Sequence, residues 1–138
     1  MIKKIIYVIF ACIAFFASSA GAQSFPNKPI RIVVTFPSGG SADLLARALG
    51  EKLSTSMGQP VVVDNKPGAG GIAGAEFVTK ATPDGHTLLF ANTNIAINPS
   101  LYAKLPYDTS TALAPVVMLA YVPSLIMVSD KSPANTIQ

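Results

Sequence analysis

Apolar residues along this 138-residue chain recur in three rhythms, each pointing to a different kind of element. Residues 5–17 are apolar without a break, behind Lys3 and Lys4 and ahead of Ser18, Ser19, Ala20, Gly21 and Ala22. Residues 29–36, 61–63 and 87–91 are short runs rich in Val, Ile, Leu and Phe, the composition of strands. Residues 42–57 instead set Leu45, Leu49 and Leu53 on one helical face, with Leu44 and Ala48 alongside. Ser41 is placed to cap that helix, Arg47 and Glu51 to pair on its wet side, and Gly58 with Pro60 to end it. A loop at 64–71 leads to a second helix over 72–81, and Thr82, Pro83, Asp84 and Gly85 make a tight turn into the third strand.

Strands alternating with helices predict an α/β fold with a largely parallel sheet flanked by helices. After residue 92 the pattern loosens: Asn98 and Pro99 open at most a short helix through Tyr102, and Pro106 closes it. Residues 116–128 form a long apolar run divided by Pro123, read as two short strands or one bent strand. Residues 132–136 look like the approach to a further helix, so the chain stops at Gln138 in mid-element.

The first rhythm is a secretory signal: a positive start, a short apolar middle and a small-residue exit, with cleavage expected after Ala22. A spanning helix needs about 20 apolar residues, more than residues 5–17 supply, so no stable membrane anchor is expected once the signal is cut. Lipid attachment at Cys12 is disfavoured by the bulky Phe10 and the short apolar run before it. Cleavage also removes Cys12, the single cysteine, and with it any disulfide or thiolate metal site. Losing Lys3 and Lys4 takes away most of the net charge of +3. The remaining basic residues are scattered singly, whereas nucleic-acid binding needs them clustered, so that class is rejected. Residues 23–138 suffice for one globular core.

Open α/β sheets bind ligands at the carboxyl ends of their strands, which singles out three loops. In the first, Phe36, Pro37, Ser38, Gly39 and Gly40 lead to Ser41, Ala42 and Asp43. Its glycines allow tight folding, so backbone amides and the following helix N-terminus can converge on a carboxylate or phosphate. Asp43 suits the helix dipole but would repel an anion set directly against it, so it is expected to brace the loop or, alternatively, to meet a ligand ammonium. Taken alone, this segment reads more readily as a plain turn followed by a helix-start residue. The second loop, with Gly68, Ala69, Gly70 and Gly71, opens another helix at the same sheet edge. The third, with Asn92, Thr93 and Asn94, offers uncharged hydrogen-bonding groups that suit binding better than catalysis.

Enzymatic readings fare worse. Residues 68–73 satisfy a loose G-x-G-x-x-A dinucleotide fingerprint, but residues 64–67 separate it from its strand and no acidic residue follows at the required distance. Neither Ser38 nor Ser41 lies in G-x-S-x-G, as a secreted hydrolase of the usual kind requires. His86, the sole histidine, reads as a strand-edge residue, and one histidine without cysteine excludes the usual zinc constellations. No catalytic residue, cofactor or metal is expected.

Six segments in register then carry a resemblance: Pro29-Ile30 before a strand, residues 36–43, Gly58-Gln59-Pro60-Val61-Val62-Val63, residues 65–71, Pro83-Asp84-Gly85-His86-Thr87-Leu88-Leu89, and Asn98-Pro99-Ser100-Leu101-Tyr102. Over essentially all of residues 23–138 the chain resembles the Bug-type solute-binding receptors of tripartite tricarboxylate transporters. That resemblance implies a periplasmic receptor with the type II periplasmic-binding-protein fold, whose two lobes close on a small carboxylate and present it to integral-membrane permease subunits. It implies a carboxylate site at Phe36, Pro37, Ser38, Gly39, Gly40 and Asp43, with Gly70, Gly71, Asn92 and Thr93 lining the same cleft. Members of that family are longer. The expectation is therefore a partial first lobe at 23–138, with the crossover near 116–128, weak or no binding by the chain alone, and exposed apolar surface. The alternative is a truncated product without a receptor role.

Overall fold

In the computed structural model, which describes residues 24–121, 123, 125 and 127–129, three strands and three helices alternate along the chain. They are β1 (Ile30–Val34), α1 (Ser41–Met57), β2 (Val61–Asn65), α2 (Ile72–Thr79), β3 (Thr87–Phe90) and α3 (Asn94–Leu101). A short 3₁₀ turn, Ala69–Gly71, leads into α2. The proposed signal with its cleavage site, and residues 132–136, lie outside the described residues.

β1 occupies the centre of a wholly parallel sheet ordered β2-β1-β3, with Ile32 paired to Val63 on one side and Leu88 on the other. A parallel strand covered on both faces reads as a continuous apolar run, and β1 does: Ile30, Ile32, Val33 and Val34 are buried, while Arg31 is exposed. Ile32, Val34 and Ala46 form the core beneath α1, with Leu49, Leu53, Val61, Val63 and Phe90 packed around them.

The face α1 buries differs from the expected leucine stripe. Ala46 and Gly50 are buried and Leu49 and Leu53 half-buried, whereas Leu44, Leu45 and Ala48 are exposed. Small residues bring the helix close to the sheet, and a Cβ on Gly50 would stand 3.2 Å from Val61 Cγ1. Ser41 is not the cap either, because the helix begins at Ser41 itself and Gly40 holds the capping position. Gly58 closes the helix in the left-handed conformation its sequence position predicts, φ 68°, its N–H donating to the Ser54 carbonyl.

Two further expectations are corrected. α3 starts at Asn94, ahead of Asn98, because the Asn92 side-chain oxygen accepts the Asn94 N–H at 3.0 Å and nucleates the turn; Pro99 lies inside the helix. The described residues of 116–128 form no strand, and Val116, Met118, Tyr121, Leu125 and Met127 are each at least 80% exposed. A strand exists through its partner's hydrogen bonds, and none of the three strands pairs with this run.

Candidate functional site

Parallel strands finish at one edge, so the three loops after β1, β2 and β3 emerge side by side, with the β1 loop between the others. Phe36 is half-buried at the base of this central loop and Pro37, Ser38, Gly39 and Gly40 are exposed above it. Gly39 adopts φ 86°, a left-handed conformation that a side chain would strain.

Beneath the loop lies Asp43, 3% exposed. Its Oδ2 accepts the Gly39 N–H at 2.9 Å and the Arg47 Nε–H at 3.0 Å. Its Oδ1 sits 3.0 Å from Arg47 Nη2 as an ion pair without hydrogen-bond alignment. The hydrogen bond from Arg47, followed by that from the Gly39 amide, holds the Asp43 carboxyl down at about 2. Arg47 thus pairs backwards with Asp43, not forwards with Glu51, since Asp43 is the carboxylate that burial leaves in need of a partner. The network continues: Arg47 Nη2 donates to Asn65 Oδ1 at 3.2 Å, and Asn65 Nδ2 donates to the Phe36 carbonyl at 3.1 Å. The Gly39 amide is therefore committed inward. The amides left for a ligand are those at the start of α1, Ser41 and Ala42, which have no carbonyl partner within the helix.

The second loop is built on glycine. Gly70 and Gly71 adopt φ 64° and 96°, and a Cβ on Gly71 would lie 3.3 Å from Thr35 Cβ. Buried Asn98 reaches across from α3 to donate to the Gly70 carbonyl at 3.2 Å. In the third loop Asn92 and Thr93 are exposed, Asn92 spending its side-chain oxygen on α3. All ten expected site residues therefore stand at or just below one sheet edge, with Asp43 and Gly71 facing inward. Thr35, Arg47, Asn65 and Asn98 belong to the site's framework and were not foreseen. Asn65 and Asn98 meet partners distant in sequence, which no local pattern records, whereas Arg47 stands four residues from Asp43 but was expected to pair with Glu51.

His86 lies at the opposite edge, immediately before β3, so no imidazole stands near Ser38 or Ser41. It is buried against Phe25, ring centroids 4.8 Å apart, with Nδ1 3.1 Å from the Asp84 carbonyl oxygen. Two hollows of about 420 Å³ are lined by other residues, one by Pro99, Tyr102 and Tyr107 among others, the second along α1 and β2 by Arg47, Glu51 and Val61 among others.

A single sheet edge carrying three backbone-rich loops, one of them braced from below, is where open α/β sheets place ligands. Residues 45–138 match the family model for the tripartite tricarboxylate transporter family receptor, and the chain belongs to that family. It is 44% identical over 123 residues to a UPF0065 protein in the tcbD-tcbE intergenic region of Pseudomonas sp., covering 87% of this chain and 37% of that protein. With the protein BugT of Bordetella pertussis it shares 40% identity over 125 residues, 89% of this chain and 38% of the relative. The chain thus spans less than two-fifths of the length of these relatives. Among solved structures, the periplasmic binding protein BugD superposes with a TM-score of 0.61 at 40% identity, covering 64% of this chain and 29% of its own. Rpa4515 of R. palustris, solved with adipate, gives 0.61 at 36% identity, covering 64% and 30%. MatC of Rhodopseudomonas palustris, solved with malate, gives 0.54 at 34% identity, covering 64% and 30%. The α/β lobe is accordingly part of a periplasmic-binding-protein fold.

Proposed function

We propose that this chain forms one wall of a periplasmic receptor site for a small carboxylate-bearing solute, which the receptor delivers to integral-membrane permease subunits. The observation that carries this reading is the loop at Phe36, Pro37, Ser38, Gly39 and Gly40, braced from beneath by Asp43 and leading directly into the first amides of α1. Helix-start amides favour anions, and adipate and malate, bound by two structural neighbours, are both dicarboxylates. Gly70, Gly71, Asn92 and Thr93 flank this wall, and residues 1–22 act as the signal that delivers it to the periplasm, cleaved after Ala22. Asp43 braces the loop and does not contact solute. The reading is solute binding, and it assigns no catalytic role to any of these residues.

Specific pockets bury about 70–90% of a small ligand, which one wall cannot do, so affinity for the isolated chain is weak, on the order of 1 mM. Titration of the ¹⁵N-labelled chain with malate and with glucose tests this. Malate is expected to shift the amides of Ser38, Gly40, Ser41 and Ala42 while glucose leaves them in place. Shifts with glucose alone, or malate shifts confined to other residues, would show the reading to be wrong.

A further inference from the structure

Asp43 creates a conflict that the proposed carboxylate site must resolve. The carboxylate is buried in the first turn of α1, directly after Ser41 and Ala42, whose amides would receive an anion. Ionised and unpaired, it would oppose any anion arriving there, and the partly buried setting would strengthen the repulsion. Its removal would leave Gly39 without the acceptor that shapes the loop.

We propose that Arg47 is the positioning residue that reconciles the two demands: it cancels the charge of Asp43 beneath the anion site and, through Asn65, ties the loop to the neighbouring strand. This rests on the carboxylate reading above. Arg47 faces Asp43 through both Nε and Nη2, each at 3.0 Å, and the same Nη2 reaches Asn65 Oδ1 at 3.2 Å. Asn65 in turn holds the Phe36 carbonyl at 3.1 Å, so one guanidinium connects the helix, β2 and the loop after β1. A planar fork can serve these acceptors together, whereas an ammonium acts as a single point charge. Asp43 can then stay ionised as an acceptor for Gly39 while presenting little net charge to a solute.

The test compares malate titrations of the labelled chain and of three variants. Arg47→Gln leaves Asp43 uncompensated and is expected to weaken malate binding about tenfold. The double variant Asp43→Asn/Arg47→Gln retains an acceptor for Gly39 without the charge and should return to within about threefold of the parent. Asp43→Asn alone frees the guanidinium charge and should tighten malate binding at low salt. A double variant as weak as Arg47→Gln would overturn the proposal, because Arg47 would then act on the solute directly or only through stability. Should Arg47→Gln not fold, Asp43→Asn decides the matter, and weaker binding by it counts against the proposal. If the parent chain shows no malate shifts, the receptor reading fails for this chain, and the ligand-free titration of Asp43 still decides the role of Arg47. Its carboxyl midpoint should rise in Arg47→Gln towards the ordinary range and Gly39 amide exchange should accelerate; an unchanged midpoint overturns the pairing.

Discussion

Asp43 and Asp84 are two of the residues through which acid reaches this fold. Asp43 is held at about 2 chiefly by Arg47 and Gly39, and Asp84 at about 2 chiefly by Lys28, 2.7 Å away, with help from the His86 amide. In the unfolded chain both would titrate near 3.9, so between these values the folded state binds fewer protons. The stability they contribute is fully present above about pH 4 and is lost as pH falls towards about 2. The thermal midpoint is expected to stay level from pH 7 to about 5 and to drop steeply below about 4, with Asp84→Asn flattening part of the drop. A midpoint constant down to pH 2, or a fall already under way above pH 6, would contradict this. Screening weakens the exposed Lys28 end of the Asp84 pair, so the Asp43 share should resist added salt better. The choice of partner for Arg47 was the part hidden in the sequence. Asp43 and Glu51 are equally spaced from it, and only burial distinguishes them.

At the scale of elements, two close helix–sheet approaches look alike in sequence and differ in what surrounds them. A Cβ on Gly50 in α1 would meet the Val61 side chain at 3.2 Å, on a half-exposed position of an outer strand that can turn aside. A Cβ on Gly74 in α2 would stand 3.0 Å from both the Lys66 carbonyl oxygen and Thr35 Cγ2. Lys66 is tied to Val34 by a 2.8 Å backbone bond and Thr35 is buried, so neither has room to yield. Replacing helical glycine by alanine gains about 1 kcal/mol, while overpacking costs about 1–3 kcal/mol. Gly50→Ala should therefore be neutral or mildly stabilising, and Gly74→Ala destabilising by about 1 kcal/mol or more. Denaturant midpoints of the two variants check this, and equal midpoints would refute it. The three strands, α1 and α2 were legible because their periodicity is local. The buried face of α1 was not, because leucine spacing records amphipathicity without saying how near the sheet comes, and here Ala46 and Gly50 decide that. α3 was misplaced because its start depends on the Asn92 side chain, a turn interaction weaker as a signal than Pro99.

On the scale of the whole molecule, the loops read as a set from sequence because glycine clusters after strands leave a pattern. The longer side-chain braces beneath them did not, since Arg47 to Asn65, Asn65 to Phe36 and Asn98 to Gly70 join residues that only the fold brings together. The same sheet leaves the described residues of 116–128 without a partner strand. Val116, Val117, Met118, Leu119, Tyr121, Leu125, Met127 and Val128 all stand in the open, more apolar surface than a soluble monomer usually leaves contiguous. Because these side chains cover no part of the core around Ile32, Val34 and Ala46, their exposure governs association and not folding. The purified chain is expected to bind an apolar fluorescent dye and to self-associate as concentration rises. Met118→Lys combined with Met127→Lys should cut dye fluorescence to about half and shift the sedimentation profile towards monomer, leaving the thermal midpoint where it was. A matching fall in the midpoint would mean that the run packs on the sheet after all, in which case the exposure described for Met118 and Met127 could not hold in solution.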